Sequence, residues 1–367
     1  MFMIRLLLGL LLVVGSYCMG FAQFRQYSNE FLNIGAGARG LAMGGAQVAT
    51  VNDVTAGYWN PAALANIQDH PSVGFMHADY FSGIGKYDFL AAAFPLAGGK
   101  KALGITALRF GVDDIPNTLF LVEPDNSINY NNIRTFSSAD YAFLLSYAQT
   151  LREDDDNFLR VGGSTKIIYR NVGSFAKAWG FGFDVGVQMK RNTWYFGATL
   201  RDATTTFNAW RFTFTDRERQ QLYLTNNDIP IRSNELTAPR LVLAAAKELP
   251  INDKFSALVE LNTDLTFGGK RNTLIKSNAV NIDPRIGLEL NYNKTVFVRA
   301  GVQNFQQALA DSDTLNQKKV WIFQPSVGAG FKAGNVHIDY AFSNLANQSN
   351  PLFTHIFSIR LDIRKKD

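Results

Sequence analysis

The sequence predicts an all-β protein: a closed antiparallel transmembrane barrel of about 14 strands, with an N-terminal hatch or plug in its lumen. Three observations carry this reading. From Ser72 onward most of the chain alternates apolar with small or polar residues, the period of strands whose two faces meet different solvents. Many runs are about 9–14 residues long, beyond the usual strand of about 5–6 and suited to a tilted strand crossing a bilayer. The connections also sort by parity, short at even places and several long at odd places, as in outer-membrane barrels.

Composition agrees. The chain has 367 residues, 47% hydrophobic and only 18% charged, below the roughly 25% charged of a typical soluble domain. Disorder is excluded by the low charge and the 13% aromatic content. A helical membrane bundle is excluded by a mean hydropathy of −0.06 and a single long apolar run. The formal charge of +5 is spread along the chain, with no basic cluster apart from Arg364-Lys365-Lys366, which argues against nucleic-acid binding.

The one apolar run, Leu6 to Val14 after Arg5, with Gly20 and Ala22 at the small-residue positions, reads as a signal peptide over 1–22. Cys18 is the only cysteine and lies inside it, and Tyr17 stands where a lipoprotein needs a small residue. Residues 23–367 therefore hold no thiol, no disulfide and no thiolate metal site.

Residues 23–71 are rich in Ala and Gly and do not alternate. A ring of about 14 strands encloses a lumen that is either water-filled or occupied. This segment is expected to occupy it; a periplasmic arm is the alternative. Gly35-Ala36-Gly37-Ala38-Arg39-Gly40 fits G-x-G-x-x-G and Asp53 follows, but Gly44-Gly45 interrupts the helix and no βαβ unit surrounds it. Those glycines are read as close backbone packing, not as a dinucleotide site. In Trp59-Asn60-Pro61-Ala62, Asn60 is a good N-cap and Pro61 suits a first helical position, so a short helix should begin there.

The barrel is expected over 72–367. Its strands are 72–81, 86–96, 101–112, 137–151, 158–170, 178–190, 193–202, 239–249, 254–267, 281–292, 295–304, 320–331, 335–343 and 351–364. Counting from a periplasmic N-terminus puts Trp179 and Trp321 at the outer interface and Trp194 at the inner one, the depths that amphipathic rings favour. Pro284 and Pro325 mark wall defects, bulges or strand ends, since proline cannot donate to a ladder. The last strand ends on Ile363 and a basic tail instead of a terminal aromatic. A large soluble all-β protein is the other architecture, disfavoured by strand length and loop parity.

No catalytic, cofactor or metal site is expected. The histidines His70, His77, His337 and His355 lack metal-ligand spacing, and no G-x-S-x-G occurs. His337 and Asp339 share a strand face, which suits a polar lumen as well as a catalytic pair. Glu153-Asp154-Asp155-Asp156 falls in a turn, where solvated charge is the ordinary reading. The span 203–238 carries Trp210, Phe212, Phe214 and Tyr223. These rings pack over the barrel mouth or present a contact surface for a protein partner.

Phe31-Leu32-Asn33-Ile34-Gly35-Ala36-Gly37-Ala38-Arg39-Gly40-Leu41-Ala42-Met43-Gly44-Gly45-Ala46, followed by Tyr58-Trp59-Asn60-Pro61-Ala62-Ala63-Leu64, resembles the opening of the PorV/PorQ family. That family lies within the FadL/TodX-like outer-membrane transporters, and Asn60-Pro61-Ala62 resembles the Asn-Pro-Ala of their hatch. The resemblance spans residues 31–64 and implies a 14-stranded barrel with an internal hatch in the outer membrane. It further implies a type IX secretion component of Bacteroidota. Such a component engages cargo with C-terminal signal domains, the translocon and the attachment complex, and it contacts outer-membrane lipid. The alternative is a transporter of long-chain fatty acids or other hydrophobic compounds, with such a molecule in the lumen and a gap in the wall.

Overall fold

The computed structural model describes residues 28–364 apart from 97, 124, 226, 230, 231, 310–318 and 344–352. The expected signal peptide and residues 365–367 of the basic tail lie outside the described residues. Among the described residues, 16 strand segments make one sheet, in which two pairs of segments continue one another and give a ring of fourteen strands.

The strands run β1 Ser72–Tyr80, β2 Gly85–Pro95, β3 Lys101–Asn117, β4 Arg134–Asp154, β5 Asn157–Val172 and β6 Ala176–Arg191. β7 has two parts, Trp194–Arg201 and Thr206–Phe212, both laid along β6. β8 likewise has Arg232–Thr237 and Arg240–Pro250, which pair with the two parts of β7. The ring continues as β9 Phe255–Thr266, β10 Asn281–Tyr292, β11 Val296–Leu309, β12 Lys319–Ala333, β13 Val336–Ser343 and β14 Thr354–Asp362. It closes where β1 pairs with β14, from Ser72 opposite Asp362 to Asp79 opposite His355. Closure joins the first strand to the last, so the ring has no terminal edge strand, the condition for a strand structure in hydrocarbon.

One span departs from the sequence reading. Residues 203–238 are not simply a loop, because the outer halves of β7 and β8 lie within it. Asp202 and Thr205 adopt positive φ (54° and 61°) and shift the pleat, so the alternation restarts out of phase and hides the continuation. Between the two outer halves, α3 (Asp216–Leu224) opens with a capping box of Thr215 and Glu218. Pro284 and Pro325 also lie inside strands, opposite Thr263 and Val302, so neither marks a strand end.

The two faces of the wall have opposite chemistry. Along β6 the residues Trp179, Phe181, Phe183, Val185, Val187 and Met189 point outward and are exposed, while Ala178, Asp184 and Gln188 between them are buried. Leu145, Leu288 and Phe357 repeat the pattern on other strands. A soluble monomer rarely exposes a contiguous apolar patch beyond about 300–600 Å². Here the apolar belt encircles the ring, so its solvent is lipid. Trp179 and Trp321 lie toward the outer ends of β6 and β12, and Trp194 begins β7 at the inner end.

Residues 28–67 fill the lumen. They carry two short helices, α1 (Ala38–Ala42) and α2 (Ala56–Trp59), and a 3-10 turn over Pro61–Asn66. Met43, Trp59, Ala62 and Leu64 are buried completely or nearly so. Asn60 caps the 3-10 turn, its side chain accepting from the Ala62 N–H, with Pro61 at the first position. That is the helix start expected from Asn-Pro.

Candidate functional site

The segment in the lumen rests on glycines of the wall. Gly162, Gly186, Gly197, Gly287, Gly301 and Gly328 point inward beneath it. A Cβ added at Gly301 would lie 2.1 Å from the Met43 carbonyl carbon, and one at Gly162 would lie 2.6 Å from the Ala62 nitrogen. Real side chains do not approach so closely, so these positions require glycine for contact with passing backbone. Of the small residues that alternate with aromatics in β6, Gly186 lies directly beneath Asn60 and Pro61 of this segment.

The motif residues tie that segment together. The Asn60 amide donates to the Val48 carbonyl (3.0 Å) and to the Val187 carbonyl of β6 (2.9 Å). Gly35 donates to the Tyr58 hydroxyl (2.9 Å), which itself donates to the Leu32 carbonyl (2.7 Å). Gly37 donates to the Met76 sulfur (3.1 Å) of β1. Gly44 and Gly45, at φ 63° and 76°, turn the chain against β11. The Gly44 N–H donates to the Ser326 hydroxyl at 3.1 Å.

Charge fastens the rest. Arg39 donates to Glu289 (2.9 Å), which Arg299 also meets (2.6 Å), and Arg299 reaches Asp339 (2.6 Å). Burial works against the Arg39 charge, but the Glu289 carboxylate outweighs it and raises the guanidinium pKa above its ordinary value. Burial likewise works against the Asp53 carboxylate, but Arg360 at 3.2 Å and the two donors of Thr55 hold its pKa below the ordinary range. Glu260, fully buried on β9, accepts from the Ala49 N–H (2.8 Å) and from the Thr50 hydroxyl. Gln188 of β6 donates to the carbonyls of Ala49 and Val51 (both 2.9 Å). Sequence reasoning found the motif ends of these contacts and missed Glu260, Gln188, Glu289 and Arg299. A single polar residue on the inner face of a strand carries no local mark of its partner.

A cavity of about 430 Å³ opens at the inner end beneath this segment, between Arg39, Asp53, Tyr195, Glu248, Asp339 and Arg360. Its lining is rich in charge. His337 and Asp339 do not pair: His337 meets Arg360 (2.7 Å) and Asp362 (3.3 Å), and Asp339 is held by Arg299. Of the acidic run, Glu153 and Asp154 end β4 and only Asp155 and Asp156 form the turn; Glu153 pairs with Arg160 (2.9 Å) and Asp154 with Arg152 (2.7 Å). Among the described residues, no group of three or more His, Cys, Asp or Glu side chains is arranged to hold a metal ion.

The four rings of the candidate partner surface separate. Trp210 and Phe212 are half-buried, stacked at 6.2 Å, with Arg170 over Trp210 at 5.0 Å. Phe214 leans on Phe175 at 6.2 Å, while Tyr223 on α3 is 76% exposed.

Among the described residues, a split between β10 and β11 is closed by a structured loop. β10 and β11 pair only from Ile286 opposite Val302 to Tyr292 opposite Val296. Above Ile286 they part, and the loop between β9 and β10 wedges into the opening. Ile275 exchanges both backbone bonds with Ile282 on the β10 side (2.8 and 3.3 Å). On the β11 side, Asn272 mimics a strand: its amide donates to the Gln307 carbonyl (2.8 Å) and its carbonyl accepts from the Gln307 N–H (3.1 Å). Lys276 adds a bond to the Gln307 side chain (3.0 Å). The wedge is folded around Asn281, which accepts from the Arg271 N–H (2.9 Å) and donates to the Gly269 carbonyl (2.7 Å).

Together these features define a transmembrane β-barrel of the outer-membrane type with its N-terminal helical segment in the lumen. Solved structures share the fold. The Ralstonia pickettii toluene transporter TbuX aligns with a TM-score of 0.55 at 12% identity, over 90% of this chain and 99% of its own. The Pseudomonas putida toluene transporter TodX gives 0.55 at 12%, over 90% and 98%. A Pseudomonas aeruginosa FadL homologue gives 0.51 at 13%, over 90% and 98%. No family model matches the sequence, and no curated protein matches it.

Proposed function

We propose that the chain is a FadL/TodX-like outer-membrane channel for hydrophobic compounds, with the split between β10 and β11 as the passage between lumen and bilayer. The observation that carries this reading is the substitution of a loop wedge for the ladder. Ladder bonds along a transmembrane wall are costly to leave unmade, yet here a stretch of wall is closed by a loop and the side chain of Asn272. Such a seal opens by moving a loop, without unzipping strands. The toluene transporters of the same fold support an apolar passenger.

The test uses the absence of cysteine beyond Cys18. Asn272→Cys with Gln307→Cys, bridged by a short bifunctional thiol reagent, fastens the wedge to β11. Uptake of radiolabelled toluene or oleate by cells should fall at least tenfold when bridged and recover with a cleavable reagent after reduction. Uptake unaffected by the bridge removes this reading.

A second reading, a component of type IX secretion that engages cargo and translocon, is favoured by a separate observation. The inner cavity carries many charged side chains, Arg39, Asp53, Glu248, Asp339 and Arg360 among them, which suit a polar partner. The resemblance of residues 31–64 to the PorV/PorQ opening points the same way. Secretion partners captured from native membranes, together with unaffected hydrocarbon uptake, would support it over the first.

A further inference from the structure

A separate feature lies on the outer wall, away from hatch and split. Lys177 on β6 and Arg211 on β7 stand directly opposite each other in the ladder and are both exposed. They share the outward face with Trp179, since the intervening Ala178 is buried. Like charges directly opposite in a sheet repel. Among the described residues neither side chain has a carboxylate partner, and the residue across from Lys177 on β5 is the neutral Asn171. The ladder sets Arg232 opposite Arg211 in turn.

Depth decides what such a pair meets. Trp179 is 60% exposed, packs on Tyr169 at 4.7 Å, and Tyr169 in turn lies 6.0 Å from Tyr141. This run of rings is the outer girdle, and girdles lie at the membrane interface. Lys177 is two residues further out than Trp179, about 7 Å along a strand. That is the level of headgroups, above the acyl chains and below the tips of the outer loops. A guanidinium binds phosphate through paired N–H groups and an ammonium adds a point charge. A phosphate between them would turn the repulsion into two attractions.

We infer that Lys177 and Arg211 form a clamp for the phosphate of an anionic lipid headgroup in the outer leaflet. The site is independent of what the barrel carries. The ligand class is a phosphorylated amphiphile whose chains lie against Trp179, Phe181 and Phe207 while its phosphate sits between the two cations.

Native mass spectrometry of the full chain in nonionic detergent tests this, with bisphosphorylated lipid A as probe and its enzymatically dephosphorylated form as comparison. The wild type should retain one more phosphorylated lipid than the Lys177→Gln, Arg211→Gln double variant, which should bind at least fivefold more weakly. The dephosphorylated lipid should show no difference. Shared heat-modifiable mobility on electrophoresis establishes that both proteins are folded. Equal retention by variant and wild type overturns the proposal, as does equal binding of the two lipids by the wild type. An equal loss in Lys190→Gln with Lys294→Gln, at the inner end, also overturns it by showing that bulk charge suffices.

Discussion

Replacing Gly301 by valine should dislodge the segment in the lumen while leaving the ring closed. The added Cβ would meet Met43 and Gly44 backbone at 2.1 and 2.2 Å, and that backbone is itself held by the Ser326 hydroxyl and by the ladder behind it. Overpacking a well-filled interior costs about 1–3 kcal/mol. A backbone target cannot swing aside like a side chain, so the cost should reach the upper end of that range. Cleavage at Arg39 by trypsin should accelerate at least tenfold, while the folded barrel keeps its heat-modifiable mobility. Gly163→Ala is the control, because its Cβ would meet only Asp184 carbonyl oxygen at an ordinary 3.4 Å. Equal cleavage of the two variants would show that Gly301 does not seat the hatch.

Asp264→Ala should be the most destabilising single change in the wall. The carboxylate is nearly buried and receives Arg285 (2.9 Å) and Arg240 (3.2 Å), and Arg240 stands opposite the buried Arg201 in the ladder. Its removal leaves cations without their counter-charge in the lumen. Breaking a buried pair from one side costs about 3–5 kcal/mol. The urea midpoint of the protein in phospholipid vesicles should fall accordingly. Asp154→Ala, which breaks a largely exposed pair with Arg152, should change stability by less than about 1 kcal/mol. Adding Arg240→Met and Arg285→Met to Asp264→Leu should restore part of the loss, since it removes the two cations that the carboxylate neutralised. A midpoint unchanged in Asp264→Ala would show that the cluster is solvated.

The ring was legible because a membrane wall makes every strand repeat the same two-solvent pattern. Trp179 to Met189 shows it without interruption, and loop parity separates the end with short turns from the end with longer connections. The break at Asp202–Thr205 hid the outer parts of β7 and β8, since a shifted pleat leaves no continuous period to follow. Asn60 and Pro61 were readable because capping is a local property of two or three residues. The receiving side was not. Glu260, Gln188 and Asp264 are polar residues at inward positions, and only the closed topology shows which of them meet the hatch and which meet each other. The wedge at Asn272 was equally hidden: an asparagine in a polar loop carries no sign that its amide will stand in for a strand.

The central claim is that the N-terminal segment fills an otherwise open ring, and planar-bilayer recording tests it most directly. The chain from residue 23 onward should be nearly silent, whereas a version that also lacks residues 23–69 should conduct in steady, resolvable steps. Indistinguishable currents from the two proteins would contradict the account.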